Sequence, residues 1–163
     1  LTIKNCISEN NGWDGIAVDK TINTVITNCT IRNNGRHGIN IVTGSLVTAI
    51  SNNLIQNNGY FYYKNTSGSG VMIQNNGGFW TSNVTGSNNT ITNSSSSDIY
   101  LTNVSYINVN YNFVNGTSNC MSVANTNFTF ISFNTCSNNK KIIVSKSTNN
   151  NFTYYNQTNV FLV

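Results

Sequence analysis

Arg36 and His37 stand side by side in the segment NNGRHGINIVTG (Asn33 to Gly44). The 163-residue chain has only one other arginine and no other histidine. Trp13 and Asp14 precede them by 23 positions, and Asp19 follows five residues after Asp14. Each of these side chains has a defined chemistry. A guanidinium holds a carboxylate through paired charge-assisted hydrogen bonds. An imidazole titrates near neutrality and moves protons. A carboxylate beside an imidazole favours its charged form, and an indole face accepts a cation or a sugar ring. Together they could form a ligand or active site, with His37, Arg36 and Asp14 as candidate catalytic residues and aromatic faces next to charge that suit sugar rings. Something must bring positions 13–19 to positions 36–37.

A repeat supplies it. Leu1–Val18 lies over Thr24–Ile41 at a constant offset of 23, pairing Asn5 with Asn28, Cys6 with Cys29, Gly12 with Gly35, Gly15 with Gly38 and Ile16 with Ile39. A third copy follows at an offset of 24, through Ile50, Asn52, Asn57, Asn58 and Gly59. It breaks for about eight extra residues and resumes at Gly70–Ile73. Later copies are weaker: Asn88–Asn93 leads to Ile99 and Leu101, Asn110–Asn115 to Met121 and Val123, and Phe128–Phe133 to Ile142 and Val144. Short alternating apolar runs between Asn/Gly turns, with no helical period, read as strands. A hairpin meander would not repeat the same turn residues every 23 positions, whereas stacked coils would, setting each residue on its counterpart about 4.8 Å away. One coil cannot bury its own apolar face, so its neighbours must cover it. The prediction is an all-β, right-handed parallel β-helix, a single-stranded solenoid of about seven coils with about 22–24 residues each. It forms one domain over residues 1–163 that lacks N-terminal coils, since Leu1-Thr-Ile-Lys reads as mid-strand.

In such a solenoid His37 stacks on Asp14 and Arg36 on Trp13, just before the inward-facing Ile16 and Ile39. The insertion at residues 60–69 leaves the third coil at the same corner and lies over the candidate groove. It brings Tyr60, Tyr62, Tyr63 and Lys64, which join Trp13 and Asp19 as candidate substrate-binding residues. Taken singly these contacts are ordinary: an exposed ion pair is worth under about 1 kcal/mol, and a surface cation–π contact is common. Their convergence on one corner favours a site, because the corners of later coils carry neutral stretches such as Ser94–Ser97.

Composition narrows the classes. Charged residues make up 7% of the chain, against roughly 25% in ordinary soluble proteins. The net charge of +4 is scattered, whereas nucleic-acid binding needs a clustered basic face and Lys140-Lys141 is the nearest approach. No apolar run nears the roughly 20 residues that span a bilayer. No Cys/His cluster has metal-binding spacing, and no cofactor is implied. Sequons occur at Asn28, Asn65, Asn83, Asn88, Asn93, Asn103, Asn115, Asn127, Asn151 and Asn156. An Asn-, Ser- and Thr-rich chain also makes them by chance, but with the low charge they favour an extracellular, cell-surface or virion-surface location. Cys6 and Cys29 share a repeat position and should lie within disulfide range, with a stacked pair of reduced thiols as the alternative. Cys120 and Cys136, 16 apart, do not match the repeat and read as buried free thiols.

Gly12-Trp-Asp-Gly15, Val18-Asp19 and above all Asn34-Gly-Arg-His-Gly-Ile-Asn-Ile-Val-Thr43 resemble the catalytic β-helix of mannuronan (alginate) C5-epimerases, over residues 1–77. The resemblance implies a polymeric uronic acid as substrate. Removing the C5 proton requires neutralising the adjacent carboxylate and stabilising an enolate-like intermediate, which is reprotonated on the other face or loses its 4-linked oxygen in lyase chemistry. Carried over by position, Asp14, Asp19, Arg36 and His37 would line the groove, with Arg36 on a carboxylate and Asp14 holding His37 charged. The family's principal Tyr and Asp-Pro-His-Glu-type motif would fall one coil before Leu1, and this chain has no proline. Two readings stand: a secreted polysaccharide C5-epimerase or related uronate lyase, and a non-catalytic structural or adhesive β-helix glycoprotein such as a virion spike, fibre or surface protein. The partner in either case is a polysaccharide, and the apolar Val160–Val163 terminus suits a homo-oligomer or assembly contact. A pectate-lyase-like enzyme ranks third, since no cluster of acids would hold calcium.

Overall fold

The computed structural model describes residues 1–60, 67–77, 80–137 and 141–153, and the backbone of 159–162. Tyr62, Tyr63, Lys64, Asn65 and Asn156 lie outside the described residues. The described chain is a parallel β-solenoid of about six turns, slightly fewer than the seven coils predicted. Partial copies at the two ends account for the difference.

Every coil contributes one strand to each of three sheets. Sheet A holds Thr2–Lys4, Ile22–Thr27, Leu46–Ser51, Ser82–Ser87, Ser105–Asn110, Asn127–Ser132 and Asn151–Thr153. Sheet B holds Ile7–Glu9, Thr30–Arg32, Leu54–Gln56, Thr90–Thr92, Phe113–Asn115 and Thr135–Cys136. Sheet C holds Ile16–Asp19, Ile39–Val42, Val71–Gln74, Ile99–Thr102, Met121–Ala124, Lys141–Ser145 and Asn159–Leu162. Each strand pairs in parallel with its counterparts in the coils before and after.

Alternation along the strands turns one residue in two inward, and the register stacks these into columns. One column of sheet C runs Ile16, Ile39, Val71, Ile99, Met121, Ile142. A column of sheet B runs Ile31, Ile55, Ile91, Val114, Cys136. These side chains are buried, and burying each is worth roughly 1.5–3 kcal/mol. No coil could gain this alone.

The corners explain the abundance of asparagine. The residue after each of the first six sheet A strands adopts the left-handed conformation: Asn5, Asn28, Asn52 and Asn88, then Tyr111 and Phe133 in later coils, with φ of 53–56°. Asparagine tolerates this region better than other non-glycine residues. The next residue points inward. There Asn53, Asn89, Asn112 and Asn134 form a buried ladder, each side-chain oxygen accepting the backbone N–H of the residue one coil below at 2.9–3.0 Å. Cys29 occupies the same position, and its N–H is the ladder's first donor. A second ladder links Asn11, Asn34 and Asn58 at the corner between sheets B and C. Just beyond it Gly15 and Gly38 need their bareness, since a Cβ on Gly15 would come within 2.7 Å of the Gly38 carbonyl oxygen.

The cysteines take the reduced alternative at one pair and overturn the expectation at the other. Cys6 and Cys29 do stack, with their sulfurs 2.9 Å apart, but as free thiols. Partial burial and the neighbouring Cys29 sulfur push the Cys6 thiol up to about 11. Cys120 and Cys136, expected to be free, form a disulfide with their Cα atoms 5.9 Å apart. The bond joins the residue before a sheet C strand to the end of a sheet B column one coil on. It crosses the interior rather than following the repeat, so an offset search misses it.

Candidate functional site

The corner leading into sheet C assembles the residues that the offset of 23 placed together. Asp14 precedes Ile16–Asp19, and Arg36 and His37 precede Ile39–Val42 one coil above. The Asp14 carboxylate is almost wholly buried and works with both oxygens. Oδ1 accepts the His37 backbone N–H at 3.0 Å, and Oδ2 accepts the Asn40 side-chain amide at 2.8 Å. Arg36 Nη1 lies 3.8 Å from Oδ2, and the guanidinium stands 5.0 Å above the Trp13 ring. The Arg36 side chain keeps about a quarter of its surface in solvent, against 4% for Asp14. A buried anion and an indole face thus fix a cation whose outer edge remains open.

His37 departs from the expectation that Asp14 holds it charged. Asp14 meets its backbone rather than its ring, and the ring is buried, with 5% of the residue exposed. The end of the insertion closes over it: the Ser69 N–H donates to His37 Nδ1 at 2.9 Å, and the Gly38 N–H returns a bond to the Ser69 carbonyl at 3.0 Å. Gly68 makes that approach feasible, because a Cβ there would overlap the Arg36 carbonyl. Burial lowers the imidazole pKa from 6.5 to about 4; the Asp14 charge opposes this shift and Arg36 assists it. His37 is therefore neutral at pH 7. Because Nδ1 accepts a hydrogen bond, the ring proton sits on Nε2, so the resting ring is a donor and not a free base.

A stability prediction follows. The unfolded chain takes up this proton near pH 6.5 and the folded chain only near 4. Between those values the unfolded state binds more protons, so stability falls as pH drops from about 6.5 to about 4 and is level below. The full effect is about 3 kcal/mol. Urea unfolding at pH 7, 5 and 4 should show this slope in the wild type and lose it in a His37→Gln variant.

Other candidates lie further off. Asp19 is exposed at the opposite end of Ile16–Asp19. Tyr60 leaves the same corner but turns along it toward later coils, its hydroxyl 3.4 Å from Thr117 Oγ1. Spacing missed two members of the cluster. Asn40 ties Asp14 to the next coil, and Gln74 donates to Asn40 Oδ1 at 3.0 Å. The signal was the polar residue between Ile39 and Ile41, which alternation sets on the outer face beside the corner. Beyond it the outer face of sheet C aligns Ala17, Asn40, Met72, Tyr100 and Ser122 in one row. A shallow groove of about 350 Å³ follows, lined by Ser97, Tyr100, Ser122 and their neighbours.

Comparison with known proteins places this geometry. The family model described as the right handed beta helix region matches residues 1–95. Mannuronan C5-epimerase AlgE5 of Azotobacter vinelandii is 42% identical over 59 residues, 36% of this chain and 6% of that protein. Alginate lyase 7 of the same organism is 49% identical over 45 residues, 28% of this chain and 5% of that protein. Among solved structures, the A-module of mannuronan C-5 epimerase AlgE4 of Azotobacter vinelandii superposes with a TM-score of 0.64 at 21% identity, over 100% of this chain and 56% of the module. The AlgE6 A-module of that organism gives 0.53 at 18%, over 99% of this chain and 57% of the module. The chain thus spans 5–6% of the length of these curated relatives and just over half of the solved modules, which share its fold. With stacked parallel strands, inward aliphatic columns and asparagine corners, and a family match covering more than half its length, the chain belongs to the right-handed β-helix family.

Proposed function

We propose that this β-helix binds an acidic polysaccharide of the polyuronate class along the outer face of sheet C, with Arg36 as the carboxylate contact. The carrying observation is the guanidinium fixed between Trp13 and Asp14 with its outer edge in solvent, in a chain with few charges. A pre-positioned guanidinium loses little entropy on pairing with a carboxylate, and the indole beside it offers a face to a pyranose ring. The groove lined by Tyr100 and Ser122 gives a polymer further room. The similarity to mannuronan C5-epimerases and an alginate lyase supports a uronate over other acidic sugars. The Cys120–Cys136 disulfide and the sequons support a place outside the cell or on a virion surface.

C5 epimerisation or lyase chemistry is the second reading, favoured by the same similarity. Arg36 would neutralise the uronate carboxylate and the His37 Nε2–H would donate to an oxygen of the sugar, while the base that takes the C5 proton is not among the described residues of this corner. Asp14, with both oxygens engaged, positions Arg36 and His37 rather than taking a proton. Arg36→Met should weaken binding of a mannuronate hexamer at least tenfold, about 1.4 kcal/mol, in titration calorimetry. Unchanged affinity would discard the assigned site. Exchange of the C5 proton with D2O, followed by NMR on polymannuronate, separates the two readings: binding without exchange leaves a binding module.

A further inference from the structure

The corner between sheets C and A, on later coils, carries a second feature. A groove of about 370 Å³ there is lined by Trp80, Tyr106, Phe128, Lys146, Asn125 and Asn127, among others. Tyr106 and Phe128 stack face to face on successive coils, with centroids 5.0 Å apart and planes within 11°. Trp80, Tyr106 and Phe128 are 66%, 54% and 36% exposed, so none of them belongs to the core.

Tyr106 and Phe128 also occupy a position the backbone does not favour for them. Each is the second residue of a long sheet A strand, with a φ of 55° and 51°. The same position in other coils holds Asn23, Val47 and Asn83, at 57°, 54° and 56°. Asparagine suits this left-handed turn, and a bulky aromatic residue is strained in it. Tyr111 and Phe133 repeat this choice at the next corner, stacked at the same 5.0 Å; what sets Tyr106 and Phe128 apart is that they line a groove together with Trp80 and Lys146. Stacked face to face, the two rings leave their edges and their outer faces to the groove. Trp80 adds a further aromatic face, and Asn125 and Asn127 add amides that match sugar hydroxyls. Lys146 supplies a cation.

We propose that this groove is a second saccharide-binding site, separate from the Trp13–Arg36 corner, which takes an acidic polysaccharide by seating a pyranose ring on Trp80 and packing its neighbours along the exposed edges of the Tyr106–Phe128 stack, with a carboxylate toward Lys146. The acidic class rests on the function proposed above, whereas the aromatic lining stands independently of it.

The chain has two tryptophans, one at each site, so fluorescence reads them separately. In a Trp13→Phe protein made in a bacterial host, which leaves Asn127 without a glycan, Trp80 emission should change saturably with a mannuronate hexamer. The change should persist when Arg36→Met is added. A Tyr106→Asn/Phe128→Asn double variant, which keeps a residue suited to the turn, should unfold at the same urea concentration and bind at Trp80 at least tenfold more weakly. A silent Trp80 in the Trp13→Phe protein, alongside a responding Trp13 in the Trp80→Phe protein, overturns the second site and leaves the first standing. Unchanged affinity in the double variant also overturns it. A responding Trp80 beside a silent Trp13 supports this groove and counts against the first site. A neutral glucose hexamer that binds the groove as tightly as the mannuronate hexamer overturns the role given to Lys146.

Discussion

Replacing Asn89 with alanine is expected to destabilise the fold by about 4 kcal/mol. Its Oδ1 accepts both the backbone N–H and the side-chain amide of Asn53, each at 3.0 Å, and its own amide donates to the Ile50 carbonyl at 2.9 Å and Asn112 Oδ1 at 3.0 Å. All of this is buried. Alanine would leave two Asn53 donors and the Ile50 carbonyl without these partners, where water does not reach them. Orphaned buried groups cost about 1–3 kcal/mol each, and partial relaxation keeps the total near the lower end. Asn89 also sits where the coil offset widens to 36, so the ladder there must bridge a coil bearing the insertion. Asn88→Gly at the neighbouring corner is the control. Asn88 is exposed with a φ of 54°, and glycine adopts that conformation freely, so the midpoint of urea unfolding should move little. Comparable losses for both variants would mean that the turn, and not the buried ladder, carries the stability.

The contrast between Asn88 and Asn89 shows how much of this molecule the sequence displays. A constant offset of 23 reveals any property that recurs in a column: turn asparagines, bare glycines such as Gly15 and Gly38, and inward isoleucines. It also reveals same-column neighbours, and so placed Arg36 on Trp13 and His37 beside Asp14 before any coordinate was known. It does not reveal contacts that leave the column. The Cys120–Cys136 disulfide crosses the interior between two sheets. The charge of His37 depends on its burial, and Ser69 closes on the ring only because the insertion returns at that height. Asp14 seemed to be the partner of the imidazole because both are single titratable residues at one repeat position. The closer partner is the His37 backbone N–H, which every residue but proline carries and no motif marks. Fold and neighbourhood are thus legible from periodicity, whereas protonation and hydrogen-bond direction depend on how an aperiodic loop closes.

Asp14→Ala should cost both stability and binding at the site, because one carboxylate serves three groups. Without it the His37 N–H and the Asn40 amide lose these buried acceptors, at a cost of about 3 kcal/mol in urea unfolding. The Arg36 guanidinium loses the anion 3.8 Å away and keeps only the Trp13 face to orient it. A carboxylate ligand would then have to order the arginine as it binds, so affinity for a mannuronate hexamer should drop about fivefold, or about 1 kcal/mol, less than in Arg36→Met. A double-mutant cycle separates this positioning role from general loosening of the corner. If Asp14 acts through Arg36, adding Asp14→Ala to the Arg36→Met protein should weaken hexamer binding little further, while the loss of fold stability persists in full. Additive losses in binding would instead show that Asp14 supports the groove through Asn40 and the coil above it. A wild-type affinity in the Asp14→Ala protein would remove the buried carboxylate from the recognition of acidic sugars altogether.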